Sequence, residues 1–259
     1  MNDAWFSSRL EFFRGYVDRF RDCPERDKAN VDLKRDHSIR VLAEAEMILS
    51  EQEVDESLEL CIRTAALFHD IGRFVQYREF KTFSDSRSKN HGLLGCRELG
   101  ATEALQGMTG EQRTMVRGIV SMHNRRFVPR GLGRELDFSL RLVRDADKLD
   151  IFKVMLEHFR PDGSVNEVVT LHLEQDHEAY TPELLEQALS GLIVDYSLMN
   201  WVNDFKLLVL SWVFDLNFNA SRRAFVERGY VDRVLSTLPG RAEFDRLETV
   251  LHRALGEQV

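Results

Sequence analysis

Histidine and aspartate side chains recur in five short segments of the chain, in a pattern that suits metal binding. Four of them fall on helix faces that are otherwise apolar, because aliphatic or small residues lie three, four, seven or eleven positions away. These four are His37, His69, His123 and Asp147. A buried, unpaired carboxylate is costly, whereas a divalent cation held by neutral imidazoles and carboxylates removes that cost. The joint pattern therefore predicts a buried metal site.

Each of these residues alone has a simpler explanation. A lone core histidine is more often hydrogen-bonded than metal-bound, and a lone buried aspartate more often caps a helix or pairs with a cation. The adjacent pair His69 and Asp70 at a helix end, with matching residues on three further helices, favours the metal interpretation.

Basic residues lie within three positions of the metal-site segments and are candidate contacts for an anionic substrate. The candidates are Arg40, Arg73, Lys89, Arg125 and Lys148. Arginine offers bidentate contacts to a phosphate group, so this set of basic residues predicts a phosphorylated substrate. The alternative is chance proximity, since 35 of the 259 residues are basic.

The spacing of apolar residues predicts a largely helical chain, and the low content of Pro and Gly agrees with it. We expect helices near residues 4–21, 31–51, 56–70, 91–106, 110–124, 135–159, 182–191, 195–216, 219–228 and 242–256. Residues 71–90 and 125–134 read as loops, and the alternation in 165–173 predicts a short strand or hairpin. A weak boundary falls near Pro161.

Composition limits the partners and the compartment. A net charge of −8 argues against general nucleic-acid binding, which needs a basic face. Three scattered cysteines suit reduced thiols, no signal peptide is visible, and the longest apolar run, 207–214, is too short to span a bilayer. We therefore expect a cytoplasmic protein without a membrane partner. The aromatic-rich segment 201–218 is expected to be core or the face of a homodimer.

The order His37, His69-Asp70, Asp147 resembles the H…HD…D signature of the HD superfamily of metal-dependent phosphohydrolases. The stretch Ala-Ala-Leu-Phe-His-Asp-Ile-Gly is similar to the family's central helix end, and Asp147-Lys148-Leu149 to its closing element. The resemblance implies an all-α HD-domain helical bundle over about 31–155. Additional C-terminal helices over about 160–259 would complete a single domain, 1–259.

The same resemblance implies the ligand set. His37, His69, Asp70 and Asp147 would hold a first divalent metal. A second, found in some members, would use the two further histidines, His91 and His123, with Asp70 as the bridge. One departure is Asn124, which follows His123 where some dinuclear members have a second histidine.

A bound divalent cation lowers the pKa of water and neutralises charge on a phosphoryl group, so the implied reaction is hydrolysis of a phosphate ester of a nucleotide or related small molecule. We expect one or two ions (Mn, Fe, Co, Ni, Zn or Mg), with Asp70 as a ligand and as the carboxylate that orients the water. Two alternatives stay open: a di-iron oxygenase, and a non-catalytic module that binds metal or nucleotide.

Overall fold

The computed structural model describes residues 3–158, 168, 170–171, 173–240 and 242–256. Helices dominate this part of the chain, and its one β interaction is an isolated parallel bridge between Glu174 and Trp201. The prediction of an all-α fold is confirmed. None of the described helices is both long and apolar enough to cross a membrane.

The chain forms two compact units, Met1–Asp150 and Ile151–Val259. Whether they fold as the single domain expected for 1–259 stays a prediction. The helices that begin in the first unit are α1 (Asp3–Asp18), α2 (Glu25–Leu49), α3 (Glu56–Phe68), α4 (Ile71–Phe80), α5 (His91–Ala101), α6 (Gly110–Met122) and α7 (Arg134–His158).

Side-chain caps set where three of these helices start. The Asp55 carboxylate accepts a hydrogen bond from the Leu58 amide at the start of α3, and Asn90 does the same for Leu93 at the start of α5. Thr109 and Gln112 form a reciprocal capping box on α6. The caps fix the register of α3, α5 and α6, and with it the faces on which the candidate ligands lie.

Close backbone contact joins α4 to α5. A Cβ added at Gly72 would lie 2.2 Å from the His91 carbonyl oxygen and 2.5 Å from the Gly95 nitrogen, so only glycine fits there. In the same unit, Phe13 of α1 packs edge-to-face against Phe68 and Phe74, at centroid distances of 5.7 and 6.0 Å. Phe68 directly precedes His69 in the sequence, and Phe74 follows Asp70 by four residues.

The prediction of a loop over 71–90 is wrong in its first half, where α4 lies. In the sequence, Gly72 suggests an interruption of helical structure, but its role is to allow the close approach of α4 to α5. The true helical signal, Ile71, Phe74 and Val75 on a buried face, was masked by the polar residues around it.

Other boundaries also differ from those expected. Helix α2 starts at Glu25 rather than 31, directly after Pro24, and the helix expected over 195–216 is α-helical only at α9 (Val202–Ser211). The expected strand over 165–173 and the boundary near Pro161 lie largely outside the described residues.

The second unit contains α8 (Pro182–Leu189), α9, α10 (Asn219–Glu227), α11 (Tyr230–Leu235) and α12 (Ala242–Leu255). Short α11 was not expected. Every residue of α9 is buried, so this part of the segment 201–218 is core. A homodimer face formed by the rest of the segment stays a prediction. Phe152 and Phe225 pack edge-to-face nearby, with centroids 4.6 Å apart.

Candidate metal centre

Four buried histidines turn their Nε2 atoms toward one another in two pairs. The Nε2 atoms of His37 and His69 are 3.2 Å apart, and those of His91 and His123 are 3.1 Å apart. All four side chains are at most 4% exposed. Six helices position the centre. His37 lies within α2, His69 and Asp70 at the α3–α4 junction, His91 at the start of α5, His123 at the end of α6 and Asp147 within α7.

Asp70 lies between the two pairs and presents a different oxygen to each. Its Oδ2 is 3.5 Å from His37 Nε2 and 3.6 Å from His69 Nε2. Its Oδ1 is 3.4 Å from His91 Nε2 and 3.7 Å from His123 Nε2. One carboxylate therefore faces both histidine pairs.

Asp147 completes the first pair. Its Oδ1 lies 3.1 Å from His37 Nε2 and 3.6 Å from His69 Nε2. This oxygen is buried and forms no hydrogen bond within the described part of the chain. A buried carboxylate oxygen left in this way is costly unless a cation is present.

The Nδ1 atom of each histidine already has an acceptor. His69 and His123 donate to the carbonyls of Ala66 and Val120, each at 2.8 Å. His37 donates to Asp150 Oδ2 at 2.6 Å, and His91 to both oxygens of Asp85 at 2.8 Å. These bonds place the proton on Nδ1 and leave the Nε2 lone pair free to bind a metal.

The four Nε2 atoms and Asp147 Oδ1 thus meet as acceptors, as a metal site requires, while Asp70 Oδ2 also accepts a hydrogen bond from Lys34. Three sets of three residues can each hold a metal ion, since the ligand atoms within a set all lie within 4.8 Å of one another. Together the sets contain all six predicted ligands. The sets are His37, His69, Asp70; His69, His123, Asp147; and Asp70, His91, His123. Imidazole nitrogens and carboxylate oxygens suit Zn, Mn, Fe, Co or Ni.

Burial and charge together set the protonation of the ligands. Burial raises the pKa of Asp70, but Lys34, His69 and Arg73 outweigh it and hold that pKa well below its usual range. Burial, helped by Arg73, lowers the pKa of His91 to about 3, so its imidazole is neutral near pH 7.

The pKa of His37 is shifted upward instead. Burial and the Lys34 ammonium lower it, but the carboxylates of Asp147 and Asp150 outweigh them. The two carboxylates beside His37 therefore favour positive charge in this half of the centre.

The five candidate substrate contacts have different surroundings. Arg73 reaches the centre itself, with Nε 3.4 Å from Asp70 Oδ1. Arg40 holds Asp150 through two bonds of 2.5 and 3.0 Å, and buried Lys148 lies 3.9 Å from Asp145. Lys89 and Arg125 are exposed. Substrate contact by these five residues stays a prediction.

Several residues at the centre were missed by the sequence analysis. Lys34 Nζ lies 2.7 Å from Asp70 Oδ2, and Asp150 Oδ2 accepts the hydrogen bond from His37 Nδ1. Both were detectable, since Lys34 lies three residues before His37 and Asp150 three after Asp147, on the same helix faces. Asp85 lies in a polar segment with no periodicity, so nothing in the sequence singles it out.

Comparison with known proteins agrees with this geometry. The family model of the HD domain matches residues 35–151, which include all six candidate ligands. The predicted resemblance to the HD superfamily is confirmed. No curated protein and no solved structure gives a significant match to the chain.

Proposed function

We propose that the chain, whose residues 35–151 match the family model of the HD domain, is a metal-dependent phosphohydrolase acting on a phosphate ester of a nucleotide or related small molecule. The observation that carries the proposal is the pair of histidine clusters on either side of Asp70, with their Nε2 lone pairs turned inward.

His37, His69, Asp70 and Asp147 would hold one divalent ion, and Asp70, His91 and His123 a second. Bound there, the ions would lower the pKa of water and neutralise charge on a phosphoryl group. The fit rests on two features of the centre: four lone pairs without a donor between them, and the buried Asp147 oxygen.

The protein's own residues would orient the reactants. Asp70 is the carboxylate shared by both clusters, so it is placed to orient the attacking water as well as to bind metal. The positive charges of Lys34 and Arg73 lie 2.7 and 3.4 Å from the same carboxylate. Charge of this kind favours a phosphate ester over a neutral substrate.

A panel of phosphate mono- and diesters, including nucleotides, tests the proposal. Chelator-treated protein would be supplied with Mn²⁺ and assayed beside Asp70→Ala. Asp32→Ala is the matched control, because Asp32 is a partly buried carboxylate paired with Arg21 and Arg35 away from the centre.

Phosphate release by the wild type and by Asp32→Ala, reduced to background in Asp70→Ala, is the expected result. If no ester is cleaved by the metal-loaded wild type, the hydrolase proposal fails. Oxygen consumption by the iron-loaded protein would then favour the oxygenase, and metal binding without turnover the binding module.

A further inference from the structure

The Asp85 side chain, in the connection between α4 and α5, collects hydrogen bonds from several elements of the first unit. Its oxygens accept from His91 Nδ1 at 2.8 Å, Gln76 Nε2 at 2.9 Å and Asn124 Nδ2 at 2.9 Å. Arg73 Nη1 lies 3.2 Å away. Asp85 is 22% exposed, so these bonds are partly shielded from water. It therefore joins α4, α5 and the end of α6 at one carboxylate.

His91 needs this carboxylate because of its position in α5. His69 and His123 donate their Nδ1 protons to carbonyls three residues earlier, at the ends of their own helices. His91 is the first residue of α5, so no preceding turn of that helix can supply such a carbonyl. A side chain takes this role instead.

The bond from His91 to Asp85 also fixes the direction of the other ring nitrogen. With Nδ1 held by both Asp85 oxygens, Nε2 faces His123 Nε2 at 3.1 Å and Asp70 Oδ1 at 3.4 Å. Loss of Asp85 would free the ring to turn and the proton to move to Nε2, and either change removes a ligand atom.

Asn124 also holds Asp85, through the carboxylate oxygen Oδ2. It follows His123 directly, and its Nδ2 donates to Asp85 Oδ2 rather than facing Asp70. The residue next to one histidine of the pair thus supports the orientation of the other, through Asp85.

We propose that Asp85 is a positioning residue for the second metal position, the one formed by Asp70, His91 and His123. The inference rests on the metal centre of the proposed function, but not on the identity of the reaction. Outer partners of this type typically change metal affinity by about 10- to 100-fold. The first position should be unaffected, since His37 and His69 have partners of their own, Asp150 and the Ala66 carbonyl.

The test is a Mn²⁺ titration of metal-free full-length protein, followed by calorimetry, with bound metal counted by elemental analysis. Four proteins are compared: wild type, Asp85→Asn, His91→Ala as the reference for a lost second position, and Asp32→Asn as the matched control. The control makes the same chemical change at a carboxylate of similar exposure, 28%, outside the centre. Thermal unfolding of each metal-free variant shows whether it is folded.

Two binding events in the wild type and in Asp32→Asn are expected. The binding event that remains in His91→Ala identifies the first metal position. Asp85→Asn should keep that event at wild-type affinity and lower the Mn²⁺ affinity of the other event by at least about 10-fold. Two events of wild-type affinity in a folded Asp85→Asn would overturn the proposal. A single event in the wild type would also overturn it, while a hydrolase with one metal would survive. Equal weakening of both events would show a general structural role and overturn it as well.

Discussion

Replacing Gly72 by alanine is expected to disrupt the metal centre without changing any candidate ligand. Gly72 lies two residues after Asp70, where α4 meets the start of α5. The added Cβ would lie 2.2 Å from the His91 carbonyl oxygen, whereas ordinary contacts begin at 3.4 Å. The difference, 3.4 − 2.2, means that the two backbones must separate by about 1.2 Å.

A shift of this size affects both stability and metal binding. Both nearest atoms belong to the backbone, which cannot rotate away as a side chain can. The free energy of unfolding should therefore fall by about 3 kcal/mol, in the upper part of the usual range for overpacking substitutions. For a chain of this length that corresponds to a melting temperature lower by about 6–12 °C. Metal–ligand distances tolerate only about 0.2 Å, so His91 and Asp70 would no longer share an ion.

Urea unfolding and Mn²⁺ titration of Gly72→Ala measure the two effects. Gly110→Ala is the matched control, because Gly110 is the first residue of α6 and a Cβ there would meet nothing within 4 Å. The control should change the free energy of unfolding by less than about 0.5 kcal/mol or raise it slightly. If Gly72→Ala were as stable as the control and bound Mn²⁺ like the wild type, the inferred packing of α4 on α5 would be wrong.

Three further predictions concern other parts of the molecule. Asp150→Asn should weaken metal binding at the His37 position by about 10- to 100-fold, because the Nδ1 of His37 loses its charged partner; unchanged Mn²⁺ affinity in calorimetry would refute this. Burial lowers the pKa of Lys206 from 10.5 to about 8 in the folded protein. Between pH 8 and 10.5 the unfolded chain therefore binds one more proton at this residue than the folded protein, and the free energy of unfolding should rise with pH over this range, by up to about 3 kcal/mol. Urea unfolding of Lys206→Met should lack this rise. Mn²⁺ at about 1,000 times its Kd should raise the free energy of unfolding by about 4 kcal/mol, and thermal unfolding should show no such increase for Asp70→Ala.

Residues on regular helix faces could be recognised from the sequence. His37, His69, His123 and Asp147 each have apolar neighbours at helical spacing, and the structure places all four at one centre. Periodicity reports the face of a helix directly, so helix position and inward orientation follow together. Their role as metal ligands stays a prediction.

Features that depend on contacts between elements could not be recognised in this way. Asp85 is polar and lies among serines, and its importance appears only once α4, α5 and α6 are packed around it. Helix α4 was mistaken for a loop because Gly72 is unfavourable for a helix by itself, whereas the packing against α5 requires it. In both cases tertiary contacts outweigh the local signal.

The most direct test of the proposed function follows metal content and phosphate release in one sample. Chelator-stripped wild type would receive Mn²⁺ in steps, with bound metal and hydrolysis of the best ester measured at each step, beside Asp70→Ala. We predict that release is absent at the start, rises with bound metal and stays at background in the variant. Equal release by stripped wild type, loaded wild type and Asp70→Ala would contradict the role of the histidine–aspartate centre in the reaction.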